Sequence, residues 1–570
     1  MPFRYLYIVC LLVFITNYSY AQDLSSIGEA QPFSYSGNIS SRLVFYNASG
    51  IQSRRDPFGY VFSGGLNISI YELTLPFTFS YSNQGTSYGQ PFNQFGVSPT
   101  YKWATAHLGY RNITHSSMTL AGHQMLGAGF DLNPDKLRVS FMAGRLRRAV
   151  QFRPLRDSLS LDTLLQIQDI PIAEDPVYKR TGWSAKVGYG DNNGFIDLIL
   201  FKGKDDASSI QDDSIKQLFR PAENAIIGLN AQKTFFNKLT LSLETALSAY
   251  TRDSESLVEG EDSVGGYKLI KPFIRENATT YYYKAIKAAL NYSGRAFNVR
   301  ANYEKIDPDY KSMGAYFFTN DREMINVTPN FYLLKNKVIL TSGISYQRDN
   351  LADKKQYTTK RFIPRLNMSY NPSAQLGFDL GYQNMRSTQE SGTIELTDST
   401  RMAMSNPGFT AGLRYNIMDS LRVHNFMLML NKFKLNDDNV VTQPFSEYSA
   451  TILNFNYNFL LVKKELNLNV SLTTNTLTIY TGKSNSFGFS LGAGKGFKEG
   501  KVNTNFSWSS NFSDYGDSHS ATLGAGIQAS KQMTLSLNLN YLKSEQATLS
   551  YNEFTGFFEC RYTFPKPKKQ

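Results

Sequence analysis

The chain has 570 residues, a formal net charge of +12, 40 Phe and 36 Tyr against 3 Trp, and a mean hydropathy of -0.33. Its basic residues are scattered rather than clustered, which excludes a nucleic-acid footprint. Beyond the first twenty or so residues no stretch reaches the roughly 18 uninterrupted apolar residues of a transmembrane helix, which excludes a helical inner-membrane protein.

The N-terminus reads as an export signal. Arg4 supplies the charge, Leu6 to Ile15 the apolar core, and Ser19-Tyr20-Ala21 the small residues for a cut that leaves Gln22 first. Cys10 lacks the preceding small residues that lipidation requires, so the mature chain keeps a single cysteine, Cys560, and no internal disulfide. The division expected is 1–21 signal, 22–32 a short periplasmic segment, 33–564 a barrel, and 565–570 a tail.

From Phe33 onward the chain alternates apolar and polar residues with period two, the signature of strands with one apolar and one polar face. Met533, Leu535, Leu537, Leu539 and Tyr541 interleave with Thr534, Ser536, Asn538 and Asn540. Turn-forming pieces such as Tyr71-Glu72, Asn133 to Lys136, Asp191 to Gly194, Lys335 to Lys337 and Lys463 to Glu465 separate the runs. They alternate with longer spacers, notably 148–180, 204–224, 252–278 and 387–406. The fold expected is all-β: one large antiparallel transmembrane β-barrel of about 26 strands (range about 22 to 26), with short periplasmic turns and longer outer loops. The upper count requires Trp103-Ala104 to serve as a tight turn; if 84–121 packs inside the barrel, the count falls.

His107, His115 and His123 form a spaced set, with His107 and His123 pointing inward on neighbouring strands. Without paired cysteines, a His-Glu-x-x-His or a carboxylate at ligand spacing, they read as polar lining rather than a metal site, and no cofactor is expected. In 148–180, Asp157 to Gln168 could form a short amphipathic helix folding into the lumen or standing above the membrane. The Gly488 to Gly496 stretch resembles a phosphate loop, but its glycines alternate with Phe489, Leu491 and Ala493 as in a strand. No nucleophile elbow or Ser–His spacing appears, so an enzyme is not expected.

The last strand puts Phe554, Gly556, Phe558, Cys560, Tyr562 and Phe564 on one face and Glu553, Thr555, Glu559, Arg561 and Thr563 on the other. Its Tyr562-x-Phe564 ending resembles the aromatic signal that outer-membrane barrels offer to the β-barrel assembly machinery, apart from the six-residue tail that follows. With the glutamine after the cut and the Tyr/Asn/Lys-rich strands, the chain resembles outer-membrane barrels of the Bacteroidota. That resemblance implies the outer membrane as location, and outer-membrane lipid and the assembly machinery as partners. Asp-Ser or Asp-Thr triplets at Asp157, Asp162, Asp213, Asp262 and Asp398 look like the O-glycosylation triplet of that phylum, or are plain loop residues.

Alternation assigns Arg42, Lys102, His107, Arg111, His123, Arg138, Lys186, Arg300, Arg361, Arg365, Arg414 and Arg561 to the lumen, against Asp131, Asp197, Glu244, Glu304, Asp379, Glu553 and Glu559. This basic excess either biases a pore toward anions or is spent in pairs across the wall. The function expected is a channel for small polar solutes, anion-biased and narrowed by its own loops. The alternative is a barrel of a surface or secretion assembly, its lumen filled by a plug or client protein, because so wide a lumen cannot stand empty.

Overall fold

The structure, a computed structural model, describes residues 33–83, 94–151, 176–211, 213–257, 266–315, 319–546 and 549–564. The signal, the 22–32 segment, the C-terminal tail, the Asp157 to Gln168 run and the triplets at Asp157, Asp162 and Asp262 lie outside them.

Strands with an apolar outer face close here into one antiparallel ring of 26 wall positions. Two short segments, Gln94–Val97 and Thr100–Tyr101, share one position between Leu73–Ser82 and Ala104–Asn112, interrupted at Ser98-Pro99 because proline cannot donate to the ladder. The region that made the count doubtful therefore supplies its strands. Its tight turn falls one residue earlier than expected, at Lys102-Trp103, with Tyr101 opposite Ala104 and Lys102 at φ 50. Closure comes from the first strand, Ser34–Ser49, which pairs with Phe58–Ile70 on one side and with the last strand, Ser550–Phe564, on the other.

Register fixes the faces. Leu413, Leu428, Phe455, Leu472 and Phe489 stand side by side outside, while Gly412, Met429, Asn454, Thr473, Gly488, Asn511 and Ser518 form the row inside. Tyr562, Phe558 and Phe554 of the last strand are on the outer face, as is Cys560 opposite Ser41. The outer connections shorten toward the C-terminus, to Tyr480-Thr481 and Asp514-Tyr515.

The packed core is not spread around the ring. Its largest cluster lies inside one arc, where two connections turn inward: residues 113–123, and residues 307–321 as far as they are described. A smaller one, Ile270 and Ile274 on Ala225 and Ala249, lies on the outer face of the same arc. The two inward connections meet in a two-residue parallel pairing, Leu120–Ala121 with Gly314–Ala315. Met118, Leu120, Tyr310 and Met313 of these connections pack with the inward side chains Met125, Met142, Phe201, Ile226, Ala246, Ala285 and Ile306 of the wall. Burying each large apolar side chain contributes roughly 1.5–3 kcal/mol, enough to hold an irregular segment against the strands.

Candidate functional site

The candidate site is the inner wall, and its chemistry differs between the arc under the inward connections and the rest. Under them, polar groups are spent on holding the insert. Glu244 accepts hydrogen bonds from the Ser116 and Ser117 hydroxyls and from the Met118 amide, and Lys287 donates to Ser117 Oγ at 3.0 Å. The Tyr310 hydroxyl donates to the Met118 carbonyl at 2.8 Å, and the Met313 amide to Asn224 Oδ1 at 3.0 Å. Glycines on the inner face make the room: a Cβ at Gly228 would lie 3.0 Å from Thr119 Cγ2, and one at Gly203 3.0 Å from Met313 Cβ.

The three spaced histidines go to three different surroundings. His107 bridges Ser98 Oγ at 2.9 Å and Asp131 Oδ2 at 2.8 Å. His115 sits in the insert between Ser184 Oγ and Ser140 Oγ, each at 2.7 Å, and burial with nearby Lys186 pushes it down to about 4. His123, 1% exposed and also in the insert rather than on a wall strand, is pushed down to about 4 by burial and by Arg180 and Arg147. Both insert imidazoles are thus neutral near pH 7.

The basic residues assigned to the lumen divide in the same way. Arg138 clamps Asp197 with two bonds, at 2.8 and 2.9 Å, and Arg414 holds Asp379 at 2.7 Å. Arg42 and Arg561 both hold Glu559, at 2.7 and 2.9 Å. Arg111 donates to Thr78 Oγ1 and Arg300 to Asn291 Oδ1, while Lys186 faces Ser140 and Ile199 across the register. Lys102 is off the wall: it sits in the turn that came one residue early and pairs with Glu72 of the adjoining turn at 3.1 Å. Arg361 and Arg365 differ from the carboxylate-paired arginines. They are exposed on the inner face of Tyr357–Tyr370, opposite Ser387 and Gln383, and like Arg111, Lys186 and Arg300 they have no ion-pair partner among the described residues.

Beyond them the wall turns neutral. Across five consecutive strands, from Leu466–Ile479 to Met533–Gln546, the inward positions carry neither a charge nor an aromatic ring. The row Ser471, Ser490, Ser509 and Ser520 is representative. Sequence reasoning found this face. It set Glu244 on the lumen and allowed for 84–121 packing inside, but it did not foresee 113–123 docking with 307–321 or Glu244 as the anchor. The signal for that docking was apolar residues at inward positions: in Gly194–Asp205 the run Ile196 to Phe201 is apolar on both faces apart from Asp197. A strand covered on both sides is written that way.

No protein-family model and no curated protein matches the chain. Among solved structures, the P pilus usher (PapC) translocation pore aligns at 10% identity over 93% of this chain and 100% of that one, TM-score 0.36. Pseudomonas aeruginosa OccK1 (OpdK) aligns at 11% identity over 60% and 93%, TM-score 0.31. A mutant ferric enterobactin receptor (PfeA) of the same organism aligns at 11% over 93% and 80%, TM-score 0.41. Likeness this low carries no argument about what passes through this barrel.

Proposed function

We propose that the protein is an outer-membrane channel of the Bacteroidota type that passes small polar solutes with an anion bias, its lumen narrowed on one side by the inward connections. The outward rows of Leu and Phe support the membrane setting, with outer-membrane lipid as the surrounding partner and the assembly machinery as the agent of insertion. The observation that carries the anion bias is the pair Arg361 and Arg365: four residues apart on one strand, exposed to the lumen, and unlike Arg138 and Arg414 without a carboxylate partner among the described residues. Uncompensated guanidinium groups on a pore wall raise the local anion concentration.

The test is single-channel conductance of the purified barrel in a planar bilayer under a KCl gradient. The expected result is steady steps with an anion-favouring reversal potential, which R361Q/R365Q moves toward zero without closing the pore. Silent bilayers would refute the channel.

A second reading, a barrel that houses a client or plug protein, is favoured by the neutral wall of Ser, Thr, Asn and Gly, which offers a large cargo neither charge nor ring to stick to. A pull-down in mild detergent that returns only the bare chain would count against it.

A further inference from the structure

The outer face of the ring carries a second chemical pattern, at the rim of the outer connections, beside Tyr480-Thr481. On Arg422–Asp437 the outward positions run Leu428, Leu430, Lys432 and Lys434, so the apolar stripe ends in two ammonium groups. Register extends both rows sideways. Lys434 stands beside Ser449, Ser449 beside Thr478, and Thr478 beside Lys483. One row nearer mid-wall, Lys432 stands beside Thr451, then Thr476 and Asn485, with the Thr476 hydroxyl donating to Asn485 Oδ1 at 3.1 Å. The three lysines are exposed and span roughly 14 Å across three strand spacings.

Nothing described neutralises them. None of the three has an ion-pair partner among the described residues. Two carboxylates of the adjoining connections, Glu447 and Asp514, accept from the backbone amides of Asp437 and Asn485. Arg386, two strands away along the rim, is matched by Asp438 at 3.7 Å.

Mid-wall of these rows the surface becomes apolar at once: Leu430, Leu453 and Phe487, then Leu428, Phe455, Leu472 and Phe489. At the opposite rim the same strands end in Phe426, Tyr457, Phe459 and Phe497, with Lys495 laid over the Phe497 ring at 5.4 Å. The ammonium and hydroxyl rows thus belong to one rim, with hydrocarbon-compatible rows directly beneath them.

We infer that Lys432, Lys434 and Lys483, with the hydroxyls of Ser449, Thr451 and Thr478 between them, bind the phosphate-bearing headgroup of an outer-leaflet lipid whose acyl chains lie along the leucine and phenylalanine rows. The inference rests on the membrane reading given above. Ammonium groups at the lipid interface supply the charge, hydroxyls supply donors to phosphate oxygens, and the apolar rows supply the contact for the chains.

The test compares the full-length barrel and K432Q/K434Q/K483Q in vesicles of phosphatidylcholine alone and of phosphatidylcholine with phosphatidylglycerol. Thermal unfolding is followed by loss of the β-sheet signal. The expected result is a rise of several degrees for the native barrel in the anionic vesicles, most of which the triple variant loses. An equal rise in both proteins, or none in either, overturns the site. Inorganic phosphate added to phosphatidylcholine vesicles is expected to leave the midpoint unchanged, and a rise there reassigns the lysines to a free anion and overturns the lipid. Failure to enter either vesicle overturns the membrane reading itself.

Discussion

The arc from Ala104 to Leu333 and the arc from Val338 to Phe564 are built from the same kind of hairpin but fill their interiors differently. In the first, inward positions such as Met142, Phe201 and Ile226 are apolar and fully covered by the insert. In the second, inward positions such as Asn454, Ser490 and Ser509 face the lumen across small, polar rows with no insert described over them. A strand specifies its lipid face in both arcs, but whether its inner face meets water or protein depends on a segment elsewhere in the chain. The first arc trades open lumen for packing; the second keeps the lumen.

Substitutions should separate the two arcs sharply. The largest effect is expected from Leu120→Asp, which buries an unpaired carboxylate among Met118, Phe201 and Met313. An isolated buried charge costs several kcal/mol, so the insert should leave the wall, seen as lost hydrogen-exchange protection in 113–123 and larger conductance steps. Glu244→Gln weakens the charge-assisted bonds from Ser116, Ser117 and the Met118 amide, about 1.5–3 kcal/mol at most. Flickering conductance at unchanged selectivity is the expected record.

Acid should act on the same arc. His115 and His123 fall from 6.5 when free to about 4 in the insert, so the displaced insert binds more protons than the docked one between those values. Docking is therefore at full strength above about pH 6.5 and weakens progressively as pH falls toward 4. Hydrogen exchange of 113–123 at pH 7 and pH 5 checks this, with faster exchange expected at pH 5 and no change with His115→Gln/His123→Gln. The smallest effect belongs to the other arc: Ser490→Ala, on the open neutral wall, should alter stability by less than about 0.5 kcal/mol and leave conductance as it was.

How much of this the sequence carries follows from the range of the interactions. Period-two alternation is local, so the strands, their faces and even the closing strand Phe554 to Phe564 could be read one residue at a time. Lys102 shows the tolerance: a turn displaced by a single residue removes it from the wall to a rim pair with Glu72. The insert could not be read that way. Leu120 and Gly314 pair across most of two hundred residues, and neither 113–123 nor 307–321 has a repeating pattern. Likewise, only the distances separate Arg361 and Arg365 from Arg138 and Arg414, since all four alternate inward alike.

The pairing of Ser34–Ser49 with Ser550–Phe564 has a consequence in time. Arg42 meets Glu559 across 517 residues, so the first strand to be synthesised waits for the last before one of its edges is covered. Until then the growing sheet carries two raw edges, each a template for pairing with another chain. The ring closes only once, where Ser34–Ser49 meets Ser550–Phe564, and both edges stay open to other chains until that moment.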